Sequence, residues 1–141
     1  MADIMNPFDQ TDATLRVAVS PKEAGTAGTN YSPTLDLGPC DAPGVRVADF
    51  ELRVSIPELT AEQTPEGATV SVALESSNDA DFATGVETQT VADLAGGASE
   101  AFCVRRRIPA DAPRYWRLAV ETNAATSGTI ADAVFRLEPT F

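Results

Sequence analysis

The sequence of 141 residues contains no histidine, one lysine and only two cysteines, Cys40 and Cys103. Histidine is the commonest general base and the commonest metal ligand, so its absence excludes histidine-dependent catalytic triads and disfavours a metal site. Two cysteines without a CxxC spacing form neither a disulfide framework nor a zinc site. We expect two reduced thiols that serve as small apolar residues, with a Cys40–Cys103 bond as the alternative.

Long apolar runs and positive charge are also scarce. No run approaches the roughly 20 apolar residues of a membrane-spanning helix. Residues 1–10 lack the basic and then apolar stretch of a secretory signal, which predicts an intracellular protein. Ten basic residues stand against 21 acidic residues, and the resulting net charge of −11 disfavours binding to nucleic acids and to anionic membranes.

Short segments of alternating apolar and polar residues make up most of the chain. This period of two is typical of half-buried strands, and proline and glycine fall between the segments. The pattern predicts strands at 14–20, 35–37, 45–56 with a bulge near 48–49, 69–75, 86–91, 99–108, 114–121 and 129–137. It predicts loops at 21–33, 58–67 and 93–97, with a short helix at 58–63 or 80–84 left open. We therefore predict an all-β, single-domain β-sandwich or jelly roll of about eight antiparallel strands over residues 14–141, after an N-terminal arm at 1–13.

Two features of the strands are candidates for contacts with other molecules. The sequence Arg105-Arg106-Arg107 is the only basic cluster, and alternation puts Arg105 and Arg107 on the face opposite Arg106. The cluster is either an outward pair, Arg105 and Arg107, with Arg106 in a buried or semi-buried ion pair, or an electrostatic contact with an acidic neighbour. In the segment 129–137, Ile130 and Val134 give the second face an apolar character, so we expect that face to pack on another molecule.

Other candidates have competing structural interpretations. Tyr115 and Trp116 could stack on a sugar, but Trp116 lies in the apolar phase of its strand, which favours core packing. The acidic segment 76–81 contains the oxygen ligands of a calcium site, although a turn capped by Asn78 and Asp79 explains the same residues. Met5 and Phe8 give the arm an apolar character suited to docking on a neighbour.

No catalytic constellation is evident in the sequence. The glycines lack the spacing of a nucleotide-binding loop, and the acidic residues are numerous enough to be explained as a solvated surface. We expect a protein that is not an enzyme and that uses no cofactor or metal.

Four segments together resemble the small jelly-roll cement, or decoration, proteins of tailed bacteriophage heads. They are TLDLG at 34–38, VALESSND at 72–79 with Phe82 soon after, RYWRLAV at 114–120 and GTIADAV at 128–134. The resemblance covers roughly residues 30–137 and implies a protein on the virion exterior, assembled in the bacterial cytoplasm. It also implies a homotrimer that clamps neighbouring copies of the major capsid protein. A carbohydrate- or receptor-binding module of a phage tail or cell-surface assembly is the alternative hypothesis.

Overall fold

The structure is a computed structural model, and it describes residues 16–21, 28–37, 50–109, 112–123 and 128–140. Its strands are β1 (Val17–Val19), β2 (Gly28–Tyr31), β3 (Leu35–Asp36), β4 (Phe50–Ile56), β5 (Thr69–Ser77), β6 (Glu87–Ala95), β7 (Phe102–Ile108), β8 (Tyr115–Thr122) and β9 (Phe135–Thr140). A short 3₁₀ helix, Gly128–Asp132, precedes β9. Within these ranges no helix is long and apolar enough to cross a membrane.

The strands form two antiparallel sheets. Sheet A has the order β1-β9-β4-β7, and sheet B has the order β2-β8-β5-β6 with β3 also paired to β8. Strands β2 and β3 lie along the same edge of β8, so they act as one interrupted strand. When β2 and β3 are counted as one strand, each sheet has four strands, and the chain passes repeatedly from one sheet to the other. This arrangement is a jelly roll. The all-β sandwich predicted from the sequence is confirmed.

One apolar core fills the space between the sheets. The alternating apolar residues of β4, β5 and β8 face inward, as the period of two requires. Phe135 and Leu137 of β9 are fully buried in the same cluster. Trp116 is also buried, and its indole Nε1 donates a 2.8 Å hydrogen bond to the Pro113 carbonyl. The interpretation of Trp116 as a core residue is therefore confirmed.

Strand β2 lies where the sequence predicts only a loop, at 21–33. The segment Gly28–Tyr31 has no apolar alternation, because it lies at the sheet edge and none of its residues is buried. Its pairing with the second half of β8 holds it in place instead. Ser32 extends this contact: its backbone N donates to the Leu118 carbonyl and its Oγ accepts from the Leu118 N–H, both at 2.9 Å.

The predicted strand at 129–137 is wrong in its first half. Ile130 belongs to the 3₁₀ helix, where its carbonyl accepts a 3.0 Å hydrogen bond from the Ala133 N–H, and its side chain is fully buried. Ile130 therefore stabilises the core and is not available as a contact residue. Strand β9 also continues past the predicted end at Leu137. Pro139 has no backbone N–H to donate, but it lies beyond the residues of β9 that pair with β1, so the strand tolerates it there.

Strand β6 is longer than predicted. The sequence suggests a break at 93–97, yet β6 continues to Ala95 through its ladder with β5. A shift in register between Val72 and Ala73 accommodates one additional residue in β6. The short helix left open at 58–63 or 80–84 does not form: turns and bends occupy 61–64 and 78–81. Residues 45–49, with the predicted bulge, and the arm at 1–13 lie outside the described residues.

Candidate functional site

The outer face of sheet A carries five of the ten basic residues of the chain. The register of β1, β9, β4 and β7 places their outward positions side by side, while the alternate positions face the core. The charged side chains of this surface, which we call the basic face, are Arg16, Arg53, Arg105, Arg107, Arg136, Glu51 and Glu138. Five arginines and two glutamates give it a net charge of +3 in a protein of net charge −11. The surface is suited to an acidic neighbour.

Glu138 holds the centre of the basic face between two arginines. Its carboxylate accepts a 2.8 Å hydrogen bond from Arg16 Nε and a second hydrogen bond from Arg53 Nη2. Burial acts to raise the pKa of Glu138, but the hydrogen bond and charge of Arg53, together with those of Arg16, outweigh it and lower this pKa below its usual value. Glu138 thus stays ionised and fixes two guanidinium groups on the surface.

The basic cluster of β7 is divided as its alternation predicts. Arg105 and Arg107 are exposed on the basic face, while Arg106 is half-buried on the opposite side of the strand. Arg105 lies 3.7 Å from a carboxylate oxygen of Glu51, a distance and exposure typical of a weak surface ion pair. Arg106 makes no ion pair with a described residue, so the buried ion pair expected there is not found; its Nη1 donates a 3.2 Å hydrogen bond to the Arg105 carbonyl oxygen. An electrostatic contact with a neighbour stays a prediction.

A shallow apolar pocket of about 280 Å³ opens beside the basic face. Its lining residues are Ser55, Ile56, Pro57, Ala101, Phe102, Cys103, Val134 and Arg136. Phe102 is 39% exposed there, so part of its ring is available for contact. Val134, a predicted contact residue, is half-buried in the pocket wall. The pocket combines an apolar surface with the cation of Arg136.

The cysteine prediction is only partly correct. Cys103 is a free thiol, so the alternative of a bond to Cys40 is not formed. It is exposed on the basic face, whereas the sequence interpretation made it a small apolar residue. Its sulfur lies 3.7 Å from Ser55 Oγ. Cys40 lies outside the described residues.

The outer face of sheet B has the opposite charge. Its outward strand positions carry four acidic residues and one basic residue: Asp36, Glu75, Asp93, Glu121 and Arg117. The five residues at these strand positions, which we call the acidic face, have a net charge of −3; Arg114, just before β8, pairs with Asp36 at 2.8 Å beside them. The two broad sides of the sandwich differ in sign, and such a polar molecule is oriented by the field of a charged partner.

An aromatic cluster lies on the acidic face around Arg117. The Arg117 guanidinium is 3.8 Å from the ring centre of Tyr31 and 4.1 Å from that of Phe82, and it pairs with Glu75 at 2.7 Å. Tyr31 is 48% exposed. Tyr115 is half-buried on the same face, with the Arg114 guanidinium 5.0 Å from its ring centre. The alternative of a sugar-stacking pair of Tyr115 and Trp116 is excluded by the burial of Trp116, whereas Tyr31 and Tyr115 both lie on the acidic face.

The segment 76–81 forms the capped turn considered in the sequence analysis. Asp79 accepts hydrogen bonds from the backbone N–H groups of Asp81 and Ala83, at 3.0 and 3.1 Å, and Asn78 Oδ1 accepts one from the Arg114 N–H. The hydrogen bond from Asp81 is the main cause of a lowered pKa at Asp79. These backbone contacts account for the acidic cluster. Among the described residues no group of three potential metal-ligating Cys, Asp or Glu side chains is found.

Arg16, Arg53, Arg136 and Tyr31 were not identified from the sequence as surface candidates. The three arginines occupy polar positions of their strands, a signal that is readable only once strands distant in sequence are known to share a sheet. Tyr31 lies in a strand without alternation. Met5 and Phe8 lie outside the described residues, so their role as contact residues stays a prediction.

Comparison with known proteins does not add a relative to this description. No protein-family model matches the sequence, and no curated protein matches it at a significant level. The two charged faces, the pocket and the fold are therefore the features from which a function can be inferred.

Proposed function

We propose that the protein is a non-enzymatic structural protein that binds the outside of an icosahedral phage capsid. It acts as a trimer and stabilises the shell by clamping neighbouring subunits of the major capsid protein. The observation that carries the proposal is the jelly-roll sandwich with a basic face in an acidic protein. Arginine is the basic residue best suited to fixed protein contacts, because its planar group makes several hydrogen bonds with little reordering.

The charge distribution supports docking on an acidic protein neighbour and not on packaged DNA. A net charge of −11 repels a polyanion at long range, whereas the local +3 of the basic face attracts an acidic protein surface at contact distance. Three linked copies bind the shell far more tightly than one, since the second and third contacts form at high effective concentration. The clamp is thus mechanical and needs no reacting group.

Binding to undecorated phage heads tests the proposal. We expect saturable, stoichiometric binding that weakens with added salt and raises the temperature at which the heads open. Arg105→Gln should weaken binding several-fold, because each copy in the trimer loses the same contact. Thr88→Glu is the matched control: it also lowers the charge by one unit but lies on the acidic face. No binding to heads would refute the function, and equal loss in both variants would refute the role of the basic face.

The exposed aromatic residues of the acidic face favour a second candidate function, a carbohydrate-binding module. Tyr31 offers a partly exposed ring that Arg117 holds in place, and Tyr115 lies on the same face. Aromatic side chains with a polar group often contact ligands at a protein surface. Saturable glycan binding that Tyr31→Ala abolishes, without binding to heads, would establish this function instead.

A further inference from the structure

The pocket beside the basic face is open in the single chain. Phe102 and Cys103 are exposed at its rim. Arg136 makes no ion pair or side-chain hydrogen bond with any other described residue, unlike Arg16, Arg53 and Arg105. An apolar pocket next to an available cation fits a chain segment in which an apolar side chain and an acidic side chain are adjacent.

The N-terminal segment of this protein has that composition. Residues 1–15 contain three aspartates and no basic residue, so their side chains carry a net charge of −3, opposite in sign to the basic face. Phe8 and Asp9 are adjacent within it. The segment joins the fold at Arg16, on the edge of the basic face, and 15 extended residues span up to about 50 Å. It is therefore long enough to reach an adjacent molecule.

We propose that the N-terminal segment of one copy binds a second copy at the Arg136 end of its basic face, with Phe8 in the pocket and Asp9 against Arg136. Arg105 and Arg107 lie further along β7 and stay exposed for the capsid. A second copy is taken as the recipient because the proposed function requires a contact between copies. The donated segment and the receiving face are different surfaces, so the contact is heterologous and can close into a ring. The inference rests on the proposed function for the ring size of three, and it identifies the contact that forms the trimer.

Sedimentation of the purified full chain, without phage heads, tests this contact. We expect trimers at about 0.05 M salt and dissociation at about 0.5 M, where the Debye length is shorter. Phe8→Ala, Arg136→Gln and deletion of residues 1–13 should each favour the monomer. Thr88→Glu is the control for net charge and should remain trimeric. Phe8→Ala keeps the test valid if the deletion variant does not fold.

Alkylation of Cys103 in a Cys40→Ser background reports on the pocket directly. In the trimer the thiol should react about tenfold more slowly than in the dilute monomer. The reason is that the thiol reacts only while the pocket is empty, which is about one-tenth of the time if the segment occupies it for the other nine-tenths. In the deletion variant the thiol should react fast, and a peptide of residues 1–15 should slow it again. A rate that is slow at every dilution would place the segment on its own chain and overturn the proposal.

The remaining outcomes are equally decisive. A monomer at all concentrations with a constant Cys103 rate would overturn the inference, as would a deletion variant that associates like the full chain. Either result could coexist with binding to heads, in which case the proposed function would survive. If the segment holds trimers together but these trimers do not bind heads, only the proposed function is refuted.

Discussion

The Arg16–Glu138–Arg53 cluster gives the most direct test of the structure. Replacing Glu138 by Gln keeps the shape of the side chain and removes its charge. Two guanidinium groups then lie close together on the basic face without the carboxylate between them. We expect the free energy of unfolding to fall, because both the attraction to Glu138 and its charge-assisted hydrogen bonds are weakened.

The magnitude follows from the burial of the three side chains. Breaking a fully buried ion pair costs about 3–5 kcal/mol. Glu138 is 5% exposed, but Arg16 and Arg53 are 46% and 33% exposed, so water solvates part of the positive charge that is left. We therefore expect a loss of about 2 kcal/mol, which corresponds to a fall of roughly 4–8 °C in melting temperature for a domain of this size.

Urea unfolding followed by circular dichroism at neutral pH measures this difference. Glu51→Gln is the matched control, because its partner Arg105 is 3.7 Å away and both side chains are largely exposed. We expect the control to change stability by less than about 0.5 kcal/mol. Equal losses in the two variants, or no loss in Glu138→Gln, would refute the role assigned to the cluster.

The ion pairs of Glu138 also predict how the stability of the protein depends on pH. The folded-state pKa of Glu138 is lowered, so its stabilising contribution is fully present above the unfolded pKa of about 4.3 and is lost as the pH falls through the folded-state pKa. The stability difference between the parent protein and Glu138→Gln should therefore be constant from neutral pH to about pH 5.5 and shrink in acid. A difference that grows below pH 4 would contradict the sign.

Three further predictions test other parts of the fold. Gly96→Ala should lower stability by about 1–3 kcal/mol in thermal unfolding, because the added Cβ would lie 2.3 Å from the Pro65 carbonyl oxygen; an unchanged melting temperature would contradict that close approach. Ile130→Ala should cost about 2–5 kcal/mol in urea, whereas Val134→Ala at the pocket wall should cost less, and the reverse order would contradict the 3₁₀ assignment. Arg117→Lys should cost about 1–2 kcal/mol by losing ring stacking and Glu75 contacts, and a neutral result would assign the aromatic cluster no structural role.

Alternation in the sequence was sufficient to predict the strands that have one buried side. β5 and β8 begin within one residue of their predicted positions, because every second residue faces the core and a shift by one would expose the apolar set. The sandwich class followed from the number of such segments and the turn residues between them.

The elements that were missed are those without this periodic signal. Gly28–Tyr31 is held by backbone hydrogen bonds to β8, and such bonds do not require a particular pattern of side chains. The segment around Ile130 contains apolar residues at alternate positions, so it resembles a strand, but tertiary packing selects a 3₁₀ turn that buries Ile130 completely. Local pattern cannot distinguish these cases, because the deciding contacts come from strands far away in the sequence.

The basic face was hidden from sequence analysis for a related reason. Its arginines are spread from residue 16 to residue 136, and only the order β1-β9-β4-β7 brings them together. The sequence does show that charge is unevenly distributed along the chain: between Arg53 and Arg105 there are nine acidic residues and no basic residue. That segment contains β5 and β6, so the acidic charge goes largely to sheet B and its connections.

Charge on opposite sides of one sandwich restricts how the protein can approach an acidic surface. A contact through sheet A brings a face of net charge +3 against it and turns the face of net charge −3 away, whereas a contact through sheet B would bring like charges together. Repulsion between like charges at contact distance disfavours the second orientation and steers the encounter towards the first. The net charge of −11 repels an acidic partner at long range, and only the +3 face attracts it at contact distance. Raising the salt concentration should therefore weaken the complex mainly by speeding its dissociation.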